Sequence, residues 1–316
     1  MPSASPHSPP PPMSARSPAP SNALSTRCAA LDEHFAQHVV PSAFGPLAYR
    51  SAGAGPAIVL LHGIGSAAGC WLDVALALRD QFRVIAWNAP GYAGSAPLPR
   101  AHPRADDYAD ALHQLLTHAG VTECVLVGHS LGAIVAGAYA ARAAGAAALT
   151  NRSVAIQRLV LLSPAQGYAS HDASQREAVR IRRLALLDRS GIDGMAAERA
   201  SALLSDAATP AMREWAAWNM RQISTPGYRQ AVGLLCDSGL LLGSTPAMPV
   251  DVRVGSEDTI TPAASGQAIA QAWGASFGLI NGAGHACHIE RPAQVTEIVR
   301  AAAMESGSAK TESAFA

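Results

Sequence analysis

Three residues of this chain have the types and the order needed for acyl transfer: Ser130, Asp258 and His285. A serine hydroxyl is a weak nucleophile until a base takes its proton, and the base works best when an acid fixes its tautomer and orientation. Ser130 is the centre of Gly128-His129-Ser130-Leu131-Gly132, a G-x-S-x-G pentapeptide. It directly follows the apolar run 124–127 and precedes an alanine-rich stretch of helical period. A sharp strand-to-helix turn there would lift the hydroxyl clear of the backbone, and the flanking glycines remove the Cβ atoms that would obstruct it. The plain alternative is a helix N-terminus capped by Ser130. The strand before it and the helix after it favour the nucleophile.

The other two members follow later apolar runs. Asp258 lies in Gly255-Ser256-Glu257-Asp258, just beyond 250–254, and His285 lies in Gly282-Ala283-Gly284-His285-Ala286-Cys287-His288, just beyond 276–280. All three would therefore reach the same edge of a sheet, and the order Ser, Asp, His is the one expected for a strand–elbow–helix nucleophile. Glu257 and His288 compete for two of the roles. Loop position favours Asp258, and His288 is expected to face the following helix or hold a turn. His129, next to the nucleophile on a sharp turn, points away from it and is expected to be structural. His62 is expected to tie its own loop together. The oxyanion of acyl transfer needs backbone donors, each worth roughly 3–4 kcal/mol. Leu131 N–H, at a helix start where the dipole adds a positive field, is one candidate. Ile64 N–H, in His62-Gly63-Ile64-Gly65-Ser66 after an early apolar run, is the other.

These residues must be carried by a frame, and the frame is legible. Short, continuous apolar runs recur at 47–50, 57–61, 82–87, 125–127, 159–162, 250–254 and 276–280. Runs without alternation indicate strands buried on both faces, as in a parallel sheet. Helical periods separate them at 72–79, 105–118, 131–144, 263–273 and 293–303, which predicts an α/β fold with a doubly wound, mostly parallel sheet. From 167 to 246 the alternation stops, and helical segments at 174–188, 195–204, 211–222 and 228–242 replace it. Ligands bind beyond the carboxyl ends of such strands, so an insertion there would form a lid. The expected division is a Pro/Ser-rich disordered tail at 1–25, a core of 26–166 and 247–304, a helical cap at 167–246 and a disordered tail at 305–316. Met13 offers an alternative start. Trp215, Trp218 and Met220 on a cap helix are candidates for the pocket lining, although a packing face is the commoner role for such residues.

Composition narrows the class of function. The 316 residues are 49% hydrophobic and carry 23 Lys+Arg against 23 Asp+Glu. A chain of net charge zero gives no reason to expect nucleic acid or an anionic membrane as a partner. No apolar run is long enough for a membrane span. The five cysteines, Cys28, Cys70, Cys124, Cys236 and Cys287, are scattered and odd in number. That pattern points away from a disulfide framework or a zinc site and towards the reducing cytoplasm. With a triad available, neither Cys70 nor Cys287 needs a catalytic role.

The chain resembles the α/β-hydrolase-fold serine hydrolases of the small bacterial type. The matching stretches are His62-Gly63-Ile64-Gly65-Ser66 with Trp71, Pro90-Gly91-Tyr92-Ala93-Gly94-Ser95, Gly128 to Gly132, Gly255 to Asp258, and Gly284 through Pro292. Together they span roughly 45–303. The resemblance implies a Ser130–His285–Asp258 triad, a cap at about 167–246 and no cofactor or metal. It implies a small carboxylic ester or lactone as substrate, with enol-lactonases among the relatives. A carbon–carbon bond hydrolase or a thioesterase is the alternative enzyme, and a small-ligand receptor on the same fold is the alternative of another class. Such proteins often carry Asp at position 88 and Gly at position 93, where this chain has Asn88 and Ala93. Hydrolases of ring-cleavage products usually carry Trp where Ala286 stands, which disfavours that substrate class. A serine nucleophile disfavours haloalkane dehalogenases and epoxide hydrolases. The site segments are largely apolar, which argues against a dicarboxylate substrate. Oligomeric state is not legible.

Overall fold

The computed structural model describes residues 20–146 and 154–313. Its frame is an eight-stranded sheet: β1 (Ala36–Ser42), β2 (Gly45–Ala52), β3 (Ala57–Leu61), β4 (Arg83–Trp87), β5 (Glu123–His129), β6 (Ala155–Leu162), β7 (Val250–Gly255) and β8 (Ser276–Ile280), in the order β1-β2-β4-β3-β5-β6-β7-β8. Only the β1–β2 and β2–β4 pairings are antiparallel. From β4 to β8 the pairing is parallel. Ile58 to Leu61, Val84 to Trp87 and Cys124 to His129 are buried throughout, as continuous apolar runs require.

The helices are α1 (Asn22–His34), α2 (Leu72–Leu78), α3 (Ala105–His118), α4 (Leu131–Ala146), α5 (Ala173–Arg199), α6 (Pro210–Met220), α7 (Thr225–Asp237), α8 (Ala263–Trp273), α9 (Cys287–Glu290) and α10 (Pro292–Ser313). α2 packs with α10, and α3 with α4, so the sheet is covered on both faces. α5, α6 and α7 lie between β6 and β7 in the chain, within the segment expected to be a cap. Each is capped at its start by a side chain that accepts from a first-turn amide: Asp172 from Gln175, Thr209 from Met212 and Ser224 from Gly227, as helix N-termini require.

Two boundaries and two elements differ from expectation. α1 begins at Asn22, inside the expected N-terminal tail, because the Ser21 hydroxyl accepts from Leu24 N–H and starts the helix. Residues 1–19 of that tail lie outside the described residues. α10 continues to Ser313, through most of the expected C-terminal tail. α1 and β1 were not expected at all. α1 buries only Leu24 and Leu31, and β1 is an edge strand that is largely exposed, so neither leaves an apolar signature. Among the described residues, no helix is long and apolar enough to cross a membrane.

Candidate active site

Ser130 sits at the junction of β5 and α4 with φ 52°, a left-handed conformation that side chains rarely adopt. The turn that enforces it leaves no room beside it. A Cβ on Gly132 would lie 2.6 Å from the Leu61 carbonyl oxygen, and one on Gly128 would lie 2.8 Å from Ala133 Cα. Both glycines are needed for close backbone approach rather than for positive φ. The result is a hydroxyl held at the carboxyl edge of the sheet.

The loops after β7 and β8 bring Asp258 and His285 to it. His285 Nε2 lies 2.9 Å from Ser130 Oγ, and His285 Nδ1 lies 2.9 Å from Asp258 Oδ2. An Nδ1–H donated to the carboxylate leaves Nε2 as an acceptor facing the serine. The other Asp258 oxygen accepts from Ile260 and Thr261 N–H at 2.8 and 2.9 Å. Burial by itself would raise the Asp258 carboxyl. The hydrogen bond and charge of His285, with the Thr261 amide, outweigh that and hold it at about 2, so it is ionised under any physiological condition. Glu257, the competitor, is exposed.

Thr261 completes this constellation and was not singled out from the sequence. Its Oγ1 lies 2.9 Å from Asp258 Oδ2, 3.0 Å from the Ser163 carbonyl and 3.1 Å from His285 Nδ1. Its position three residues after Asp258 was the only signal available. The hydroxyl buttresses the imidazole without touching the serine. Thr261→Val is expected to lower kcat about tenfold with KM little changed, the loss of one hydrogen bond of about 1–1.5 kcal/mol. Steady-state kinetics on any turned-over ester check it.

The three other histidines weighed from the sequence make contacts away from the Ser130 hydroxyl. His129 Nε2 donates to the His285 carbonyl at 2.9 Å, so it holds the loop that carries the base. His62 accepts from Ala89 N–H at Nε2 and meets the Gly63 carbonyl at Nδ1, tying the loop as expected. His288 stacks on Trp71, centroids 4.3 Å apart, and both its ring nitrogens are buried without a hydrogen-bond partner. Burial drives all three towards the neutral form: His62 down to about 4, His129 down to about 3, and His288 well below its usual value. Burial pushes the Cys70 and Cys287 thiols up to about 12, which leaves neither available as a thiolate. Glu290 joins the site to the 167–246 segment. It accepts from Gly284 N–H on one oxygen, at 2.7 Å, and from Ser205 N–H on the other, at 3.0 Å.

Asn88 and Ala93 act locally. Asn88 Oδ1 accepts from Ala68 N–H at 2.9 Å. Ala93 takes φ 38° where glycine would enter freely, and its amide bonds the Gln222 carbonyl of the cap at 2.8 Å.

A cavity of about 230 Å³ opens above Ser130. Ile64, Leu131 and His285 line it on the side of the sheet, and Met195, Met220, Arg183 and Arg199 line it from the 167–246 segment. The Leu131 amide is the first of α4 and has no intrahelical acceptor. Of the three expected cap residues, only Met220 lines this cavity. Trp215 and Trp218 stack in parallel, centroids 4.9 Å apart, and Arg27 of α1 lies 4.7 Å above Trp215. They form the packing face of α6 because that face meets α1 and the turn around Gly69, whose Cβ would come within 3.0 Å of Trp218. The expectation of a site with little charge is also corrected: Arg183 and Arg199 reach the cavity from α5.

The arrangement can deprotonate a hydroxyl, attack a carbonyl carbon and accept the developing oxyanion. A sequence model of the alpha/beta hydrolase family matches residues 58–298. An uncharacterised protein of Mycobacterium tuberculosis is 41% identical over 93 residues, which is 29% of this chain and 27% of that one. The chain thus spans about a quarter of the length of the curated relatives of this kind. A thermophilic esterase from Thermogutta terrifontis superposes with a TM-score of 0.70 at 24% identity, covering 85% of this chain and 98% of its own. The enol-lactonase from Burkholderia xenovorans does so with a TM-score of 0.70 at 21% identity, covering 84% and 99%. At these identities the two structures show a shared fold.

Proposed function

This chain belongs to the alpha/beta hydrolase family, and from that premise we propose that it is a serine hydrolase cleaving a small carboxylic ester or lactone through an acyl-enzyme on Ser130. The observation that carries the reading is the continuous pair of 2.9 Å contacts from Ser130 Oγ through His285 to Asp258. Ser130 Oγ attacks the carbonyl carbon as His285 Nε2 takes its proton. Asp258 keeps the imidazole oriented and stabilises the imidazolium. The amides of Ile64 and Leu131 receive the oxyanion. His285 then protonates the leaving oxygen, and a water deprotonated by the same nitrogen releases the acid. The esterase and enol-lactonase among structures of this fold favour oxygen esters as the bond cut. The five unbridged cysteines favour a cytoplasmic setting, as part of the same proposal.

A fluorophosphonate probe tests the central step. One adduct on Ser130, mapped by peptide mass, is expected within minutes, together with turnover in a panel of esters, lactones and thioesters of graded acyl size. No adduct, no turnover and tight retention of one small ligand would establish a receptor in place of an enzyme.

A further inference from the structure

We infer that the cavity above Ser130 binds a substrate bearing a free carboxylate besides the bond that is cut, with Arg183 and Arg199 as its specificity determinants. The inference deepens the proposed ester or lactone hydrolysis and rests on it for the reaction, though not for the binding.

The argument is one of unbalanced charge. Arg183 and Arg199 both line the 230 Å³ cavity that holds Ser130 and His285, and no Asp or Glu lines it. Both are half-buried. Among the described residues neither has a carboxylate within 4 Å, whereas four other arginines of the 167–246 segment do. Arg180 pairs with Glu177 and Asp237, Arg189 with Glu198, Arg221 with Asp193, and Arg229 with Asp188. Arg176, Arg182 and Arg213 also stand outside these pairs, but of the arginines in this segment only Arg183 and Arg199 line the cavity.

Backbone geometry brings the pair together. Arg183 and Arg199 are 16 residues apart on α5 (199 − 183). In an unbroken helix that is about 24 Å, at 1.5 Å per residue. α5 is broken at Gly191, which takes φ 64° and ψ −171°, so the two halves turn towards a common cavity. Two half-buried guanidiniums lining one cavity repel each other less when an anion lies between them, and a planar carboxylate matches the guanidinium fork. The apolar lining residues Met195, Met220 and Ile64 suit a short carbon chain joining the carboxylate to the scissile ester.

Binding to the Ser130→Ala protein tests this separately from turnover. Isothermal titration is run with monomethyl glutarate, with 4-acetoxybutanoate and with neutral methyl hexanoate, which place the charge on the acyl side, on the alcohol side and nowhere. At least one of the two anions is expected to bind tenfold or more tightly than the neutral ester, and to weaken as NaCl rises from 0.05 to 0.5 M. An Arg183→Gln/Arg199→Gln variant is expected to lose that advantage, and Arg183→Lys/Arg199→Lys to recover part of it, which excludes misfolding as the cause. Equal affinity for the three ligands, or a preference indifferent to salt and to both arginines, would overturn the inference. Anion binding without turnover in the wild-type protein would overturn the hydrolase reading and leave the carboxylate site standing. Turnover of neutral and anionic esters at equal kcat/KM would do the reverse.

Discussion

Ser130→Ala is expected to lower kcat/KM for p-nitrophenyl acetate by about 10⁶-fold, the scale on which loss of a triad serine acts, while circular dichroism and the thermal midpoint stay close to wild type. The first half follows from the proposed chemistry: Ser130 is the hydroxyl hydrogen-bonded to His285 Nε2, and burial keeps the Cys70 and Cys287 thiols protonated. The second half follows from packing. The Ser130 hydroxyl bonds only His285 Nε2, and the positive φ of the elbow is fixed by its neighbours, as alanine already endures at position 93. Activity within tenfold of wild type would remove Ser130 from the mechanism. A collapsed fold would show that the hydroxyl does structural work that its single contact does not reveal.

The second large effect is acid lability. His62 and His129 are held neutral by burial, at about 4 and about 3 against an ordinary 6.5. Because the folded values are depressed, their contribution to stability is complete above pH 6.5 and is lost as the pH falls towards the folded values. Each then costs about 1.4 kcal/mol per pH unit. By pH 4.5 the two together remove roughly 5 kcal/mol, comparable with the whole stability of many domains. His288 acts in the same direction, and protonated rings in this cluster would also repel one another. A cooperative loss of tryptophan fluorescence between about pH 5 and 4 is expected, above the range where carboxylates such as Asp258 protonate. His288→Phe, which keeps the stacking on Trp71, should move the midpoint to lower pH. A native spectrum down to pH 3 would contradict the argument.

How much of this could be read from residues alone depends on what each residue reports. The parallel strands announced themselves because both faces are buried, so every position must be apolar. Ser130, Asp258 and His285 were legible because each follows such a strand. β1 was not, since an exposed edge strand has no apolar side to repeat. Thr261 was hidden because a hydroxyl in a loop has many commoner uses. The sequence leaves Trp215 and Trp218 between pocket and packing because an amphipathic helix inserted between two surfaces does not say which surface its aromatic face meets. Arg183 and Arg199 were indistinguishable from their neighbours, because what marks them is that they line the cavity, and that is set by the fold.

α6 is fastened to the body of the molecule by Arg27 over Trp215 and by the contact of Ser21 with Glu214, while α5, which carries both cavity arginines, packs mainly on its cap neighbours α6 and α7. That division has a consequence for inheritance. Substitutions in α5 alter the part of the cavity that reads the ligand without passing through β5, β7 or β8, which set the distances among Ser130, Asp258 and His285. If the cavity reads a carboxylate as proposed, a lineage can drift from one acid to another by small changes in a single helix, each intermediate keeping the Ser130, Asp258 and His285 geometry. Diversity in such descendants should gather in α5 and leave the elbow untouched.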